Sequence, residues 1–167
     1  MCFDLAGVPT TYLLTPFHWE AWVYGLGAPQ PGPDGMLTVA MPLGDALLPG
    51  IAAEDIGRCA YGMLCAGEEF LGKTVGIAGE HITGQRLANG LSRVYGEPVR
   101  YLSLPLEVFR SLPVPGVEVA ANMLQYVAEA NDAYRGLRDV RLARRLNPSL
   151  LGFDAWVSRT RAPTRIG

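Results

Sequence analysis

The sequence lacks the features of membrane-spanning and secreted proteins. It has no apolar run of the roughly 18 residues that a membrane-spanning helix needs. Its first residues include neither the basic nor the apolar segment of a secretory signal peptide. Three cysteines, Cys2, Cys59 and Cys65, are too few and too irregularly spaced for a disulfide framework. We therefore expect a protein of the reducing cytoplasm that makes no membrane contact.

The chain also has no large excess of positive or negative charge. The formal net charge of -2 gives no electrostatic reason for binding nucleic acid or an anionic membrane. Residues 135–165 nevertheless contain eight arginines and only two acidic residues, Asp139 and Asp154. We interpret this stretch as a solvated face that pairs with the acidic body of the protein, and an interaction surface is the alternative.

Recognisable catalytic motifs are absent from the sequence. There is no G-x-G-x-x-G loop for a dinucleotide, no Tyr-x-x-x-Lys pair of short-chain dehydrogenases and no G-x-S-x-G nucleophile turn. The only lysine is Lys73. The only histidines, His18 and His81, fall on separate predicted elements, whereas a zinc site needs three or four ligands. We predict no catalytic residue and no metal site in this chain.

One nucleotide-binding motif is matched in form by residues 67–74, which fit G-x-x-x-x-G-K-[ST]. That loop binds phosphate where a strand leads into the N-terminus of a helix. Here a helix is predicted before the segment and a strand after it, and Glu68 and Glu69 would bring negative charge to the phosphate. We interpret the segment as a turn in which Phe70 and Leu71 anchor the chain against the core.

The residues that are present predict one globular α/β domain over residues 1–167. Hydrophobic residues make up 49% of the chain and charged residues 18%, which is a globular composition. Hydrophobic periodicity, capping residues and turn residues predict strands and helices that alternate along the chain. Predicted strands cover 8–14, which we expect to be buried, and 36–41, 46–48, 73–78 and 99–104. Predicted helices cover 17–24, 53–66, 83–95, a short segment from Pro105, 116–134 and 149–159.

A cluster of aromatic residues follows directly after the first predicted strand. It comprises Phe17, His18, Trp19, Trp22 and Tyr24. Such a cluster is either plain core or a platform for a planar ligand. Its position favours the platform, because open α/β sheets bind ligands beyond the carboxyl ends of their strands.

An ordered set of short segments resembles the NmrA-like family of atypical short-chain dehydrogenases. Residues 7–20, GVPTTYLLTPFHWE, are similar to the late strand and the following turn of that family. Further similar segments follow in the family's order over essentially the whole chain, at residues 33–35, 42–45, 53–57, 70–74, 109–116, 121–123, 146–148 and 153–156.

This resemblance implies a fold class and a site. The fold is α/β and corresponds to the C-terminal half of a Rossmann-type NmrA-like fold, without the N-terminal glycine-rich half that binds the dinucleotide. In the family, the turn after the late strand borders the nicotinamide. The cofactor-binding residues implied here are Pro16, Phe17, His18, Trp19 and Glu20. The asparagine usual after that glutamate is Ala21, and we expect Trp156 to lie far from the turn.

The resemblance also implies a function. The cofactor expected for a full-length member is NADP, and the expected role is redox-sensing or regulatory binding rather than catalysis. Two alternatives stay open: part of an NAD(P)H-dependent oxidoreductase, and a truncated gene product without function. A strand from the middle of a parallel sheet exposes apolar faces and an unpaired edge when it stands alone. We therefore expect a protein partner, the missing N-terminal half or self-association to cover it.

Overall fold

Short strands in separate small sheets, alternating with helices, form the fold. The computed structural model describes residues 2–25 and 27–162. The strands are β1 (Tyr12–Leu14), β2 (Phe17–His18), β3 (Gln30–Pro31), β4 (Leu37–Met41), β5 (Leu48–Ile51), β6 (Thr74–Gly76), β7 (Glu80–Ile82) and β8 (Val99–Ser103). The helices are α1 (Cys2–Leu5), α2 (Ala21–Tyr24), α3 (Ala53–Cys65), α4 (Gly84–Tyr95), α5 (Leu106–Arg110), α6 (Val117–Glu129), α7 (Asn131–Gly136), α8 (Val140–Leu146) and α9 (Phe153–Arg159), with a 3₁₀ turn at Gly67–Phe70. The predicted α/β class is confirmed.

The strands pair in three groups among the described residues. The first group is β1 and β6, which are parallel. The second has β5 in its centre, parallel to β2 and antiparallel to β7. The third has β4 in its centre, antiparallel to β3 and parallel to β8, in a register that places Thr38 opposite Arg100 and Ala40 opposite Leu102.

Two clusters of buried side chains form the core. The larger one joins the aromatic turn after β1 to β4, α4 and α9, and includes Trp19, Leu87, Leu91 and Phe153. The smaller one lies where α3 packs on β6, and includes Cys59, Met63, Val75 and Ile77. No helix among residues 2–25 and 27–162 combines the length and the apolar composition that crossing a membrane requires.

The predicted caps of α4 are confirmed. The Thr83 hydroxyl accepts a hydrogen bond from the Arg86 backbone N–H at 3.1 Å, which satisfies one of the free donors of the first turn. Gly96 ends the helix in the left-handed conformation, with φ of 72°, where glycine carries no steric penalty.

Several predicted boundaries are wrong near the start of the chain. The strand predicted at 8–14 covers only Tyr12–Leu14 and is half-buried, and Val8 is 47% exposed. The helix predicted at 17–24 is divided, because Phe17 and His18 pair with β5 as a strand and the helix begins at Ala21. The strand predicted at 46–48 lies at Leu48–Ile51.

The long helix predicted at 116–134 is two helices separated at Ala130. The side chain of Asn131 explains the break, because its amide donates to the backbone oxygens of Leu47 at 2.8 Å and Val127 at 3.0 Å. Its oxygen accepts from the Leu47 N–H at 3.3 Å. The pattern also gave no sign of β7 or α8, and the last helix begins at Phe153 instead of 149.

The elements on either side of residues 67–74 follow in an order that argues against phosphate binding. Helix α3 precedes it and strand β6 follows it. Phe70 is buried and packs in the smaller core, as predicted, whereas Leu71 is 44% exposed, so its predicted anchoring is wrong.

Candidate functional site

The turn after β1 holds the five residues that the resemblance assigns to the nicotinamide. Pro16 is buried, Phe17 is half-buried and His18 is exposed. The backbone of the turn is fixed by β2, which pairs with Gly50 and Ile51 of β5, and by the Trp19 N–H, which donates to the Ile51 oxygen at 3.0 Å.

Trp19 is a core residue. It is 1% exposed, and its ring lies 5.4 Å from that of Phe153 and 5.6 Å from that of Trp156. The expectation that Trp156 is distant from this turn is therefore wrong. Helix α9 folds back over α4, where Asp154 pairs with Arg86 and Arg93, and this brings Trp156 against Trp19.

Glu20 connects three elements. One carboxylate oxygen accepts from the Ala53 N–H at 2.9 Å, at the N-terminus of α3, where a negative charge is favourable. The other oxygen accepts from the indole Nε1 of Trp156 at 2.9 Å. Of the five predicted residues, Phe17 and His18 are thus the two that are not buried and whose side chains are not held as Glu20 is, by hydrogen bonds to other elements. A nicotinamide contact for the five residues stays a prediction.

A large apolar cavity begins at this turn. Its volume is about 810 Å³, within the range of small-molecule sites. One wall is a face of the β4–β8 pair, with Thr38, Ala40, Arg100 and Leu102. These side chains alternate with Leu37, Val39 and Met41, which are buried in the larger core.

Helices α2, α5 and α6 complete the cavity. Phe17 and Trp22 line the end near the aromatic turn, and their rings lie 6.1 Å apart. Phe109 of α5 and Ala120 of α6 belong to the helical part of the lining. Segments rich in proline and glycine, at residues 27–33 and 114–117, form further parts of the lining.

Apolar side chains that a globular protein would ordinarily bury are exposed in this cavity. Leu102, Val108, Val114 and Met123 are each between 42% and 46% exposed, and all four line it. Contiguous exposed apolar surface in a concave site is typical of ligand binding. The cavity is therefore the strongest candidate for a binding site in the described residues.

The charged groups at the cavity neutralise each other. Arg100 is the only charged residue among the described residues that line it. Its terminal nitrogens donate to the two oxygens of Asp34, at 3.0 and 3.3 Å, and to the Thr38 hydroxyl at 3.2 Å. The Met36 N–H and the Arg100 guanidinium lower the pKa of the Asp34 carboxyl below its usual value. Asp34 is therefore ionised at neutral pH, and the pair carries no net charge.

A second, more open groove of about 710 Å³ lies between α3 and α8. Its two cations are already paired, Arg58 with Glu54 and Arg145 with Glu69. Cys65, a free thiol, is also part of its lining. This arrangement offers no unpaired charge for a ligand.

The two histidines lie on separate strands, His18 on β2 and His81 on β7. The His81 Nε2 donates to the Arg138 oxygen at 3.0 Å, and burial lowers the pKa of its imidazole. His18 is exposed on β2. Residues 2–25 and 27–162 contain no group of three or more His, Cys, Asp or Glu side chains that could hold a metal ion.

Most of the cavity residues were missed by the sequence reasoning. Phe17 and Trp22 were singled out within the aromatic cluster, but the sheet wall and the α5 and α6 wall were not. A weak signal exists in β4, where Thr38 and Ala40 alternate with three apolar residues and mark a second face. Nothing local indicates that this face meets α6.

The sequence model of the NmrA-like family matches residues 4–152 of the chain. The fold is similar to that of NmrA, a negative transcriptional regulator, with a TM-score of 0.67 and 17% identity over 92% of this chain and 53% of that one. It is also similar to the triphenylmethane reductase of Citrobacter sp. solved with NADP(H), with a TM-score of 0.68 and 19% identity over 94% and 55%. For the NADPH-dependent quinone oxidoreductase of Escherichia coli solved with NADPH, the TM-score is 0.58 and the identity 17% over 93% and 56%. The chain thus spans about half the length of these proteins.

Proposed function

Because the chain belongs to the NmrA-like family, we propose that it is the ligand-binding, C-terminal half of an NAD(P)-binding protein that acts by binding rather than by catalysis. One observation carries this proposal: Phe17, a residue assigned to the nicotinamide, also lines the apolar cavity. A ligand in the cavity would therefore lie next to the reactive end of the dinucleotide. In this way, occupancy of the cavity by its ligand is coupled to occupancy of the nicotinamide site.

The residues present fit the nicotinamide end of NADP and not its phosphates. Phe17 offers an apolar ring and His18 an accessible imidazole, so these two side chains would hold the nicotinamide, which supplies a hydride when it is reduced. Trp19 and Glu20 would act through the fold, since Trp19 is buried and Glu20 is bonded to α3 and to Trp156. The pyrophosphate needs a glycine-rich turn at a helix N-terminus, which we propose that the N-terminal half supplies.

The lining of the cavity supports binding over acid–base catalysis. Among the described residues that line it there is no Tyr, Lys, His, Asp or Glu side chain. Reduction of a carbonyl needs a proton donor near the oxygen, and the one charged group among the described lining residues, the guanidinium of Arg100, is already bonded to Asp34. We therefore propose a redox-sensing or regulatory role, with a protein partner or the N-terminal half as its counterpart. We also propose a cytoplasmic location, which the free thiols of Cys59 and Cys65 support.

Calorimetric titration of NADPH tests the proposal on two proteins, the chain alone and the chain fused to the glycine-rich half of an NmrA-like protein. We expect no micromolar binding by the chain alone and a dissociation constant of about 1 μM, near −8 kcal/mol, for the fusion. In the fusion, Phe17→Ala should weaken binding about tenfold. Tyr61→Ala, an exposed aromatic outside the cavity, is the matched control and should have no effect. Micromolar binding by the chain alone, or equal effects of the two variants, would refute the proposal.

The second candidate is an NAD(P)H-dependent reductase of apolar acceptors. The apolar cavity beside the Phe17 turn favours it, because hydride transfer to an apolar acceptor can proceed without an acid from the protein. Oxidation of NADPH by the fusion protein in the presence of a quinone separates the two functions. We expect binding without multiple turnovers. Sustained turnover that Phe17→Ala abolishes would show that the reductase is correct.

The remaining alternative, a truncated product without function, predicts a poorly ordered chain. A sharp cooperative thermal transition of the chain would argue against it, whereas a broad one would favour it.

A further inference from the structure

The Arg100–Asp34 pair determines which ligand charge the cavity favours, and the shape of the cavity alone does not determine this. All other described residues in the lining are uncharged, and most are apolar. An ion that enters an apolar site loses its hydration and gains nothing in return unless an opposite charge is free to meet it. The charge of Arg100 is not free, because Asp34 and Thr38 already occupy its terminal nitrogens.

Two further polar side chains of the wall are engaged within the protein, whereas two N–H donors of lining residues, Nε of Arg100 and the indole Nε1 of Trp22, are buried without a hydrogen-bond partner. The Thr38 hydroxyl donates to the Met36 oxygen at 3.1 Å and accepts from Arg100. The Gln30 amide donates to the Ala28 oxygen at 3.0 Å, in its own loop. A ligand would therefore be held mainly by apolar contact, above all with the rings of Phe17, Trp22 and Phe109, and the two unpaired N–H donors suit a neutral acceptor.

We infer that the cavity selects neutral, largely apolar ligands of aromatic character, and that Asp34 sets this selectivity by cancelling the charge of Arg100. This inference rests on the proposed ligand-binding role of the cavity. It makes Asp34 a specificity-determining residue, although Asp34 does not itself line the cavity. Removing the carboxylate of Asp34 should convert the same cavity into one that accepts anions.

A matched pair of fluorescent probes tests the inference on the full 167-residue chain. N-phenyl-1-naphthylamine is neutral, and 1-anilinonaphthalene-8-sulfonate is the same ring system with a sulfonate. Cavity binding is defined as the component that is lost in two filling variants on different elements, Ala120→Phe on α6 and Ala40→Leu on β4, and retained in Val119→Phe. Val119 is the exposed neighbour of Ala120 on α6 and does not line the cavity. This definition separates the cavity from apolar surface elsewhere.

In the unaltered chain we expect the neutral probe to bind in the cavity and the sulfonate to bind there at least about tenfold more weakly. In Asp34→Asn, which keeps an oxygen to accept from the Met36 N–H, sulfonate affinity should rise by about tenfold or more, since an unpaired guanidinium now faces the ligand. Affinity for the neutral probe should not change. Asp132→Asn is the control, because it removes the carboxylate from another ion pair, Arg135 and Asp132. It should change the affinity for neither probe.

Three results would overturn the inference, and they distinguish the selectivity from the ligand-binding role. Equal affinity of the two probes in the unaltered chain, or an unchanged sulfonate affinity in Asp34→Asn, refutes the selectivity and leaves the ligand-binding role standing. Absence of any neutral-probe component that the filling variants remove refutes the ligand-binding role of the cavity, and the selectivity with it.

Discussion

At the scale of single residues, Asp55 shows how a buried charge can organise the fold. Its side chain is fully buried and accepts hydrogen bonds from the Asn147 amide at 2.7 Å and from the Leu151 N–H at 3.0 Å. Arg58 lies 3.5 Å away on the next turn of α3. These bonds tie the start of α3 to the segment that leads into α9.

Replacing Asp55 with Ala should lower the free energy of unfolding by about 2–4 kcal/mol, because Asn147 and the Leu151 N–H would be left buried without an acceptor. Urea denaturation measures this change. Glu54→Ala is the control, since Glu54 contacts the same arginine, Arg58, at the surface. This variant should lower the free energy of unfolding by about 0.5 kcal/mol or less. Similar costs for both variants would contradict the assigned role of Asp55.

At the scale of elements, close approaches of backbone decide which glycines can be replaced. In β6, a Cβ atom at Gly76 would lie 1.6 Å from the Leu137 oxygen, because the segment before α8 crosses directly over this strand. In α3, a Cβ atom at Gly57 would meet nothing within 4 Å. The sequence gives no means of telling these two glycines apart.

Gly76→Ala should therefore destabilise the protein by about 3 kcal/mol, since backbone must move to admit the methyl group. Gly57→Ala should stabilise it by about 0.5–1 kcal/mol, because alanine is the better helix former. Chemical denaturation of both variants tests the pair. If Gly76→Ala were neutral, the packing of residues 137–139 on β6 would have to be wrong.

At the scale of the whole molecule, the apolar residues that precede β1 form an exposed surface. Among the described residues, β6 is the only strand that pairs with β1. Close to it in sequence, Phe3, Leu5 and Val8 are 65%, 88% and 47% exposed. Exposed apolar side chains that are close together in sequence favour association with another chain.

We expect the chain to self-associate in sedimentation velocity experiments over a series of concentrations, and to do so less when Leu5→Glu and Val8→Lys are combined. Charged side chains at these two positions would interrupt the exposed apolar surface. Val119→Glu removes a comparably exposed apolar residue from α6 and should leave association unchanged. A chain that stays monomeric throughout the series would contradict association through these exposed residues.

The sequence by itself determined the α/β class, α3, both caps of α4 and the inverted order around residues 67–74. These features depend on residues close together in the chain, such as Thr83 and Gly96, whose conformational preferences act locally. The ordered resemblance also identified the family and directed attention to the turn at residues 16–20.

Only the tertiary structure decided which side chains of that turn face outward and what they face. Trp19 and Glu20 are held by Trp156, and α6 ends where Asn131 bonds to Leu47. The apolar cavity likewise forms where one face of β4 and β8 meets α5 and α6. Its residues come from segments far apart in sequence, so no local pattern contains them, and the same alternation of side chains would fit a solvated sheet face equally well.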